Sequence, residues 1–455
     1  MSASRPGPTG YVIHPVVDQA PPMAVRGEGI YLIDAEGRRY LDGSSGAITA
    51  NIGHGVEEVL QAIRDQASQL TFAFRSQFAN RPAEALAERI GALAPGTLRW
   101  LFFVNSGSEA TELAVKMAVQ HWQERGRPEK THVLSRRVSY HGITLGALSM
   151  SGHVHRRSRF ESLLAKDAVV ATPYCLRCPL SLRYPDCALA CADDLQARID
   201  ALGAETVAAF IAEPVVGASG AAIAPPRDYY RRIREICDAN DILFIADEVM
   251  TGMGRTGAMF AVEHYDVVPD LLVLGKGLGA GYTPIAAVVA SDEVMGPIRA
   301  GSGAVLYGHT LSANPLSAAT ALAVLDVLEG RELVANARAR GAQLEDALRR
   351  LAQRHPVIGD VRGLGLLQGI ELVADDALTP FPPSQNVTGR LVRHAFERGL
   401  LIYPASGAVD GAGDAVIVAP PLTIEAAEVD ALVGMLDDAL GALEHELGLP
   451  AAAHA

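Results

Sequence analysis

No stretch of the 455-residue chain reaches the roughly 18 consecutive apolar residues that span a bilayer. The first twenty residues, MSASRPGPTGYVIHPVVDQA, contain no continuous apolar segment of the kind that directs secretion. Both absences argue against a membrane partner and predict a cytoplasmic location. There is no long basic run either. The formal net charge is -13 and the sequence pI about 5.5, so no nucleic-acid partner is expected. No internal repeat is visible. Cysteine is scarce, with five in all. Four of them, Cys175, Cys178, Cys187 and Cys191, fall in YCLRCPLSLRYPDCALAC, and Cys237 stands alone. CxxC followed by CxxxC resembles a zinc knuckle, but the gap between the pairs is short for one. Reduced packed thiols, a structural metal and a disulfide stay open as alternatives, the last disfavoured by a reducing compartment.

What is present is apolar material: 49% of the residues are hydrophobic, enough for a large core and more than one domain. GIYLIDAEGRRYLDG reads as a hairpin turning at Ala35–Gly37. Helical spacing runs over residues 83–94. From about residue 99 to 325, short apolar runs alternate with amphipathic segments: RWLFFV, THVLSRR, VAAFIAEPV, ILFIADEV, DLLVLG and TPIAAVVAS. That order predicts an α/β layer with a mostly parallel sheet covered on both faces. Residues 313–355 read as one or two long helices. VIGDVRGLGLLQGIELV then reads as a strand pair, TGRLVRHAFERGLLIYP as helix then strand, and the last part as strand, proline break and helix. This portion predicts a smaller α+β domain, with a frayed alanine-rich tail.

Three stretches carry potential chemistry. In NSGSEATELAV (105–115) a Ser/Gly turn ends a strand and opens a helix, where free N–H groups and the dipole favour phosphate. An ordinary N-cap would look the same. FIADEVMTGMGRTG (244–257) ends a buried strand in Asp247 and Glu248, carboxylates that need a cation or a donor unless water reaches them. LVLGKGLGAG (272–281) sets Lys276 among four glycines directly after another apolar strand. A loop lysine is the plain reading, and a desolvated, reactive amine the chemical one. In a parallel sheet these strand ends share one edge. Tyr140, in SYHG, is an aromatic that could stack on a flat ring or simply pack.

Together, a phosphate-binding helix start, a carboxylate and a lysine are the three anchors that pyridoxal phosphate needs. From YLDGSSGAITANIGHG to APPLTIEAAEVD the chain resembles the class III (omega-type) aminotransferases. The most specific stretches are AEPVVG, FIADEVMTGMGRTG, PDLLVLGKGLGAGYTPIAAVV and GHTLSANPLSAA. The resemblance implies the fold type I architecture of pyridoxal-phosphate enzymes. That is a large domain with a mostly parallel seven-stranded sheet and a smaller α+β domain formed by the chain termini. Residues 1–75 would form the N-terminal part of the small domain. Residues 76–330 would form the large domain, with the Cys-rich insert at 174–192, and residues 331–455 the rest of the small domain. It further implies that Lys276 forms a Schiff base and shuttles the proton, while Asp247 keeps the pyridine nitrogen protonated. Tyr140 and Val249 cover the two ring faces, Gly107 and Ser108 bind phosphate, and His141 and Glu213 lie at the cofactor. Arg255 is structural. Thr310 would reach the phosphate of the other subunit, which implies a homodimer with shared active sites. The expected substrates are a primary amine or ω-amino acid as donor and a keto acid, most simply pyruvate, as acceptor, in ping-pong chemistry.

The chain departs from the family where carboxylates are read. Relatives that use 2-oxoglutarate commonly carry a glutamate where Ala218 stands. The arginine expected near PPL is replaced by Ile417, Asp410 lies near the place of a mobile arginine, and no arginine follows Arg398. Arg75, flanked by Phe72, Phe74 and Phe78, is the candidate for a replacement carboxylate anchor with an apolar pocket. Those residues would otherwise be a solvated arginine and core packing. The same cofactor anchors would serve a racemase, aminomutase or decarboxylase. A non-catalytic metal-binding scaffold centred on the cysteines is the remaining alternative.

Overall fold

The computed structural model describes residues 12–14, 16, 20–165, 169–409 and 412–449. The Ala-rich tail beyond Leu449, most of the first nineteen residues and Asp410 lie outside the described residues. Its centre is a seven-stranded sheet. The strands in spatial order are Trp100–Val104, Ala286–Ala290, Leu271–Leu274, Leu243–Asp247, Val207–Ala212, His132–Arg136 and Val169–Val170. Only Ala286–Ala290 runs against its neighbours. Every residue of Val207–Ala212, Leu243–Asp247 and Leu271–Leu274 is buried. That is why these segments read as continuous apolar runs rather than as alternation.

Alternate side chains of these strands feed two cores. Phe210, Phe244 and Leu272 join one, packed with the helices Tyr229–Ala239 and Pro315–Gly330. Ile211, Ile245 and Val273 join the other, under the helix Gly107–Glu124 with Trp122 at its far end. The strand period of two thus assigns each residue to one face.

The chain termini build the smaller part. The hairpin Tyr31–Asp34 and Arg39–Asp42 extends to Ala24–Glu28 on one side and pairs with Leu400–Leu401 on the other, so N- and C-terminal segments share a sheet. A second, antiparallel sheet holds Ile358–Leu364, Leu367–Leu372, Ala412–Val418 and Tyr403–Val409. The predicted long helical stretch is two helices, Pro315–Gly330 and Leu333–Arg354. The helices Glu57–Gln69 and Asp292–Ala300 were not foreseen. Glu57–Gln69 is amphipathic but buries only Val59. Among the described residues no helix is long and apolar enough to cross a membrane.

Buried arginines pin these parts together. Arg255 donates to the carbonyls of Leu366 (3.0 Å) and Pro420 (2.6 Å), to Ser45 Oγ (3.0 Å) and to Asn51 Oδ1 (2.8 Å). Arg362 donates to the carbonyls of Gly220 and Ala221 and pairs with Glu371. Glu371 also receives Arg177 (2.7 Å) and the Tyr174 hydroxyl, which fastens the cysteine insert to the small part. The four insert cysteines line one small apolar cavity and are unpaired. Burial, helped by the neighbouring thiols, pushes the Cys191 thiol up to about 12. Among the described residues no group of three or more His, Cys, Asp or Glu side chains is placed to hold a metal ion.

His355 gives a pH-dependent lock. It is buried between Glu444 (Nδ1–Oε2, 2.8 Å) and Asp437 (Nε2–Oδ1, 2.6 Å). Burial pulls its pKa down, but the two carboxylates outweigh burial and the net shift is upward. A raised folded-state pKa contributes stability that is complete below the unfolded value of about 6.5 and is lost as pH rises through the folded value. His355→Gln is therefore expected to cost about 2 kcal/mol below that pH and less in alkali. Thermal unfolding of both proteins across pH tests this; a penalty that grows with pH would contradict it.

Candidate active site

Five strands running in one direction, ending at Val104, Arg136, Ala212, Asp247 and Leu274, present their carboxyl ends to one edge of the sheet. Ligands bind at such edges in open α/β sheets. A cavity of ≈ 180 Å³ opens there, lined by Gly107, Ser108, Tyr140, His141, Gly142, Glu213, Asp247, Val249, Met250 and Lys276. A larger, shallower groove of ≈ 420 Å³ lies by Leu243 and Asp270, at the opposite ends of the strands. Its size does not make it the site, because it gathers no comparable set of donors, carboxylate and amine.

Ser106, not Ser108, caps the helix Gly107–Glu124: its Oγ accepts the Glu109 N–H at 3.3 Å, and Glu109 Oε2 accepts the Asn105 N–H at 2.9 Å. The amides of Gly107 and Ser108 have no acceptor among the described residues. They face the cavity with the positive end of an 18-residue helix behind them. Ser108 Oγ accepts the Ile143 N–H at 3.0 Å. Gly142 makes that turn with φ at 141°, and a Cβ there would lie 2.6 Å from Ser108 Oγ. Val249 fits between Gly107 and Gly275, where added Cβ atoms would sit 3.0 and 3.2 Å from its Cγ1.

Asp247 is buried at its strand end. One carboxylate oxygen meets His141 Nδ1 at 2.7 Å, and the other accepts the Val249 N–H at 3.1 Å. His141 is buried too, and among the described residues its Nε2 has no partner. Glu213 accepts the amides of Tyr140 and Gly217, both at 2.9 Å, and burial pushes its pKa up. Lys276 holds a left-handed backbone at φ 39°, a strained setting for a residue with a Cβ. Burial holds its amine below the ordinary lysine pKa; Asp247 and Glu213 oppose that shift and Arg156 adds to it. Glu248, the second acid of the strand end, turns away: it accepts from Thr251 and from the Val262 amide, and burial pushes it up to about 7.

The other sequence-derived residues lie elsewhere in a single chain. Thr310 is exposed and does not line the cavity, and Phe72, Phe74 and Phe78 are exposed. Arg75 donates to the Tyr307 carbonyl at 2.9 Å and stacks on Phe102 at 4.1 Å. Ala218 and Ile417 are buried in one apolar cluster with Met250, which lines the cavity, and among the described residues the cavity lining includes no arginine. Reading the sequence passed over Met250, Gly142, Ser151, which accepts the His141 N–H at 2.8 Å, and Arg156. The basic run HVHRRSR, a short way after Tyr140, was the available signal for the last.

The fold and this edge of the sheet define an aminotransferase: the chain belongs to class III, whose family model matches residues 13–440. It is 48% identical to an uncharacterised aminotransferase, YodT, of Bacillus subtilis, over 96% of this chain and 99% of that one. A putrescine–pyruvate aminotransferase of Pseudomonas aeruginosa is 35% identical, over 90% of this chain and 88% of that one. Among solved structures, an amine transaminase from an uncultivated Pseudomonas species in its pyridoxal-phosphate-bound form superposes with a TM-score of 0.89 at 37% identity, covering 97% and 99% of the two chains. An (S)-enantioselective omega-transaminase of Thermomicrobium roseum gives 0.89 at 37%, covering 95% and 96%.

This family implies pyridoxal phosphate, and the residues present fit it. Two amides at a helix start suit a phosphate. A buried carboxylate suits a protonated ring nitrogen, and an amine held below its usual pKa suits an aldehyde.

Proposed function

We propose that the protein transfers an amino group from a primary amine or ω-amino acid to a keto acid, pyruvate, in two half-reactions on pyridoxal phosphate. The observation that carries this reading is the meeting of Lys276, Asp247 and the free amides of Gly107 and Ser108 in one cavity. When bound, the cofactor supplies an aldehyde and an electron-withdrawing ring. Gly107 and Ser108 would donate to its phosphate, and Tyr140 and Val249 would hold its ring. Asp247, held by His141, would keep a proton on the ring nitrogen. The Lys276 amine would meet the aldehyde and would serve as the base for the proton on the substrate carbon that bears the amino group. Its depressed pKa leaves more of it in the neutral form this work requires. A cavity lining with no arginine among the described residues, and with Ala218 and Ile417 packed in the apolar cluster of Met250, favours a small keto acid over a dicarboxylic one. The putrescine–pyruvate relative favours the same pairing. Incubating the holoenzyme with amines tests the reading: amino product must form only as keto acid is consumed. Product without keto-acid consumption, or release of carbon dioxide, would contradict it.

The working form in this proposal is a homodimer in the cytoplasm, with Thr310 reaching the partner's phosphate site. Segments 71–80 and 307–314 are bound to each other through Arg75 and Tyr307, Asn80 and Ala313 (2.9 Å), and Asn314 and Thr71 (3.2 Å). They expose Phe72, Phe74, Phe78 and Leu311, with Leu306 beside them, an apolar surface that a second copy would cover. Phe78→Asp is expected to lower the mass in light scattering from twice 48.0 kDa to 48.0 kDa and to remove activity with it. An active monomer would contradict the shared site.

A further inference from the structure

One arginine near the cavity is left unused by the fold. Arg156 sits in the short helix Val154–Arg157, and its guanidinium lies over the ring of Tyr140, 4.5 Å from the centroid. Tyr140 lines the same cavity as Lys276. The next arginine, Arg157, is consumed by structure: it donates to the carbonyls of Leu148, Ser149 and Ser151 and pairs with Glu161. Arg75 is consumed by Tyr307 and Phe102, and Arg136 by Glu213 and Tyr230. Arg156 differs from all three. It is half-buried, and among the described residues its guanidinium has no hydrogen-bond acceptor and no carboxylate partner. A half-buried guanidinium with no carboxylate partner gains charge-assisted hydrogen bonds when a ligand supplies the anion. Its planar fork is matched to a carboxylate. The ring of Tyr140, which lines the cavity, and the anchoring of the adjacent Arg157 fix where Arg156 sits.

We propose that Arg156 binds the carboxylate of the keto-acid substrate, taking the place of the arginine that Ile417 replaces. The assignment rests on the transamination reading above and deepens it. Its charge also reaches Lys276, whose amine it helps to keep neutral. A carboxylate seated on Arg156 would screen that charge, so substrate and base are coupled through one residue. Arg156→Met removes the fork, and Arg156→Lys keeps the charge without it.

The test compares half-reactions of the holoenzyme. Arg156→Met is expected to lower kcat/KM for pyruvate about 10- to 100-fold more than it lowers kcat/KM for benzylamine, an amine without a carboxylate. Arg156→Lys should fall between Arg156→Met and the unsubstituted protein. Oxamate, an unreactive analogue of pyruvate, gives a readout besides turnover: calorimetry should show binding to the holoenzyme that Arg156→Met weakens at least about tenfold. Equal losses for pyruvate and benzylamine would mean that Arg156 only braces Tyr140, and would overturn the proposal. So would oxamate binding that Arg156→Met leaves intact, or none to the unsubstituted protein. A protein that binds oxamate through Arg156 but transaminates no amine would instead overturn the reaction and leave Arg156 assigned.

Discussion

Lys276→Ala is expected to lower the rate of amino transfer by about 10⁴-fold or more while the protein stays folded. In the proposed reaction Lys276 serves twice, as the amine for the aldehyde and as the base for the substrate proton, so one substitution would remove both. Lys276 already occupies a left-handed conformation at φ 39°, and alanine meets the same steric cost there as lysine. Its side chain makes no hydrogen bond among the described residues that the fold would miss. Removing a buried amine also removes a desolvation cost. The substituted protein should therefore unfold at or above the normal temperature and lose the borohydride-sensitive absorbance of a lysine-linked cofactor. Retained turnover above that limit would remove Lys276 from the chemistry.

Asp247→Asn is expected to cost about 10²–10³-fold in rate with a smaller effect on folding. The change is nearly isosteric, and the amide oxygen can still serve one of the two partners, the Val249 amide or His141, while its NH2 faces the other. What goes is the negative charge at the end of the strand Leu243–Asp247, 2.7 Å from His141 Nδ1. Without it a protonated ring nitrogen faces a neutral amide in a buried place, and the electron-withdrawing state of the ring is no longer held. Single-turnover kinetics should show the loss in the proton-transfer step, with amine binding less affected. A loss confined to amine affinity would contradict the role.

The parallel sheet was legible because burial on both faces leaves runs such as VAAFIA and LLVL with no polar alternation to confuse them. The strand-end positions of Asp247 and Lys276 followed from the same runs. Other features depend on contacts distant in sequence. Leu400–Leu401 pairs with Leu41 and Asp42 across most of the chain, and two residues carry no periodicity. The His141–Asp247 pair joins residues more than a hundred positions apart. Arg75 and Arg156 look equivalent in sequence. Only the fold shows the first spent on Tyr307 and Phe102, and the second beside Tyr140 with no carboxylate partner among the described residues. Thr310 cannot be read against the cavity of one chain at all, since its proposed role belongs to a dimer.

The most direct test of amino transfer at this site is a half-reaction followed by absorbance. The holoenzyme is mixed with an amine donor and no keto acid, and pyruvate is added afterwards. The account predicts that the cofactor band of the aldehyde form is replaced by that of the amino form in amounts equal to the active sites. It then returns on addition of pyruvate, with one alanine formed per site. A band that does not change with any amine, or that changes and does not return with a keto acid, would contradict it.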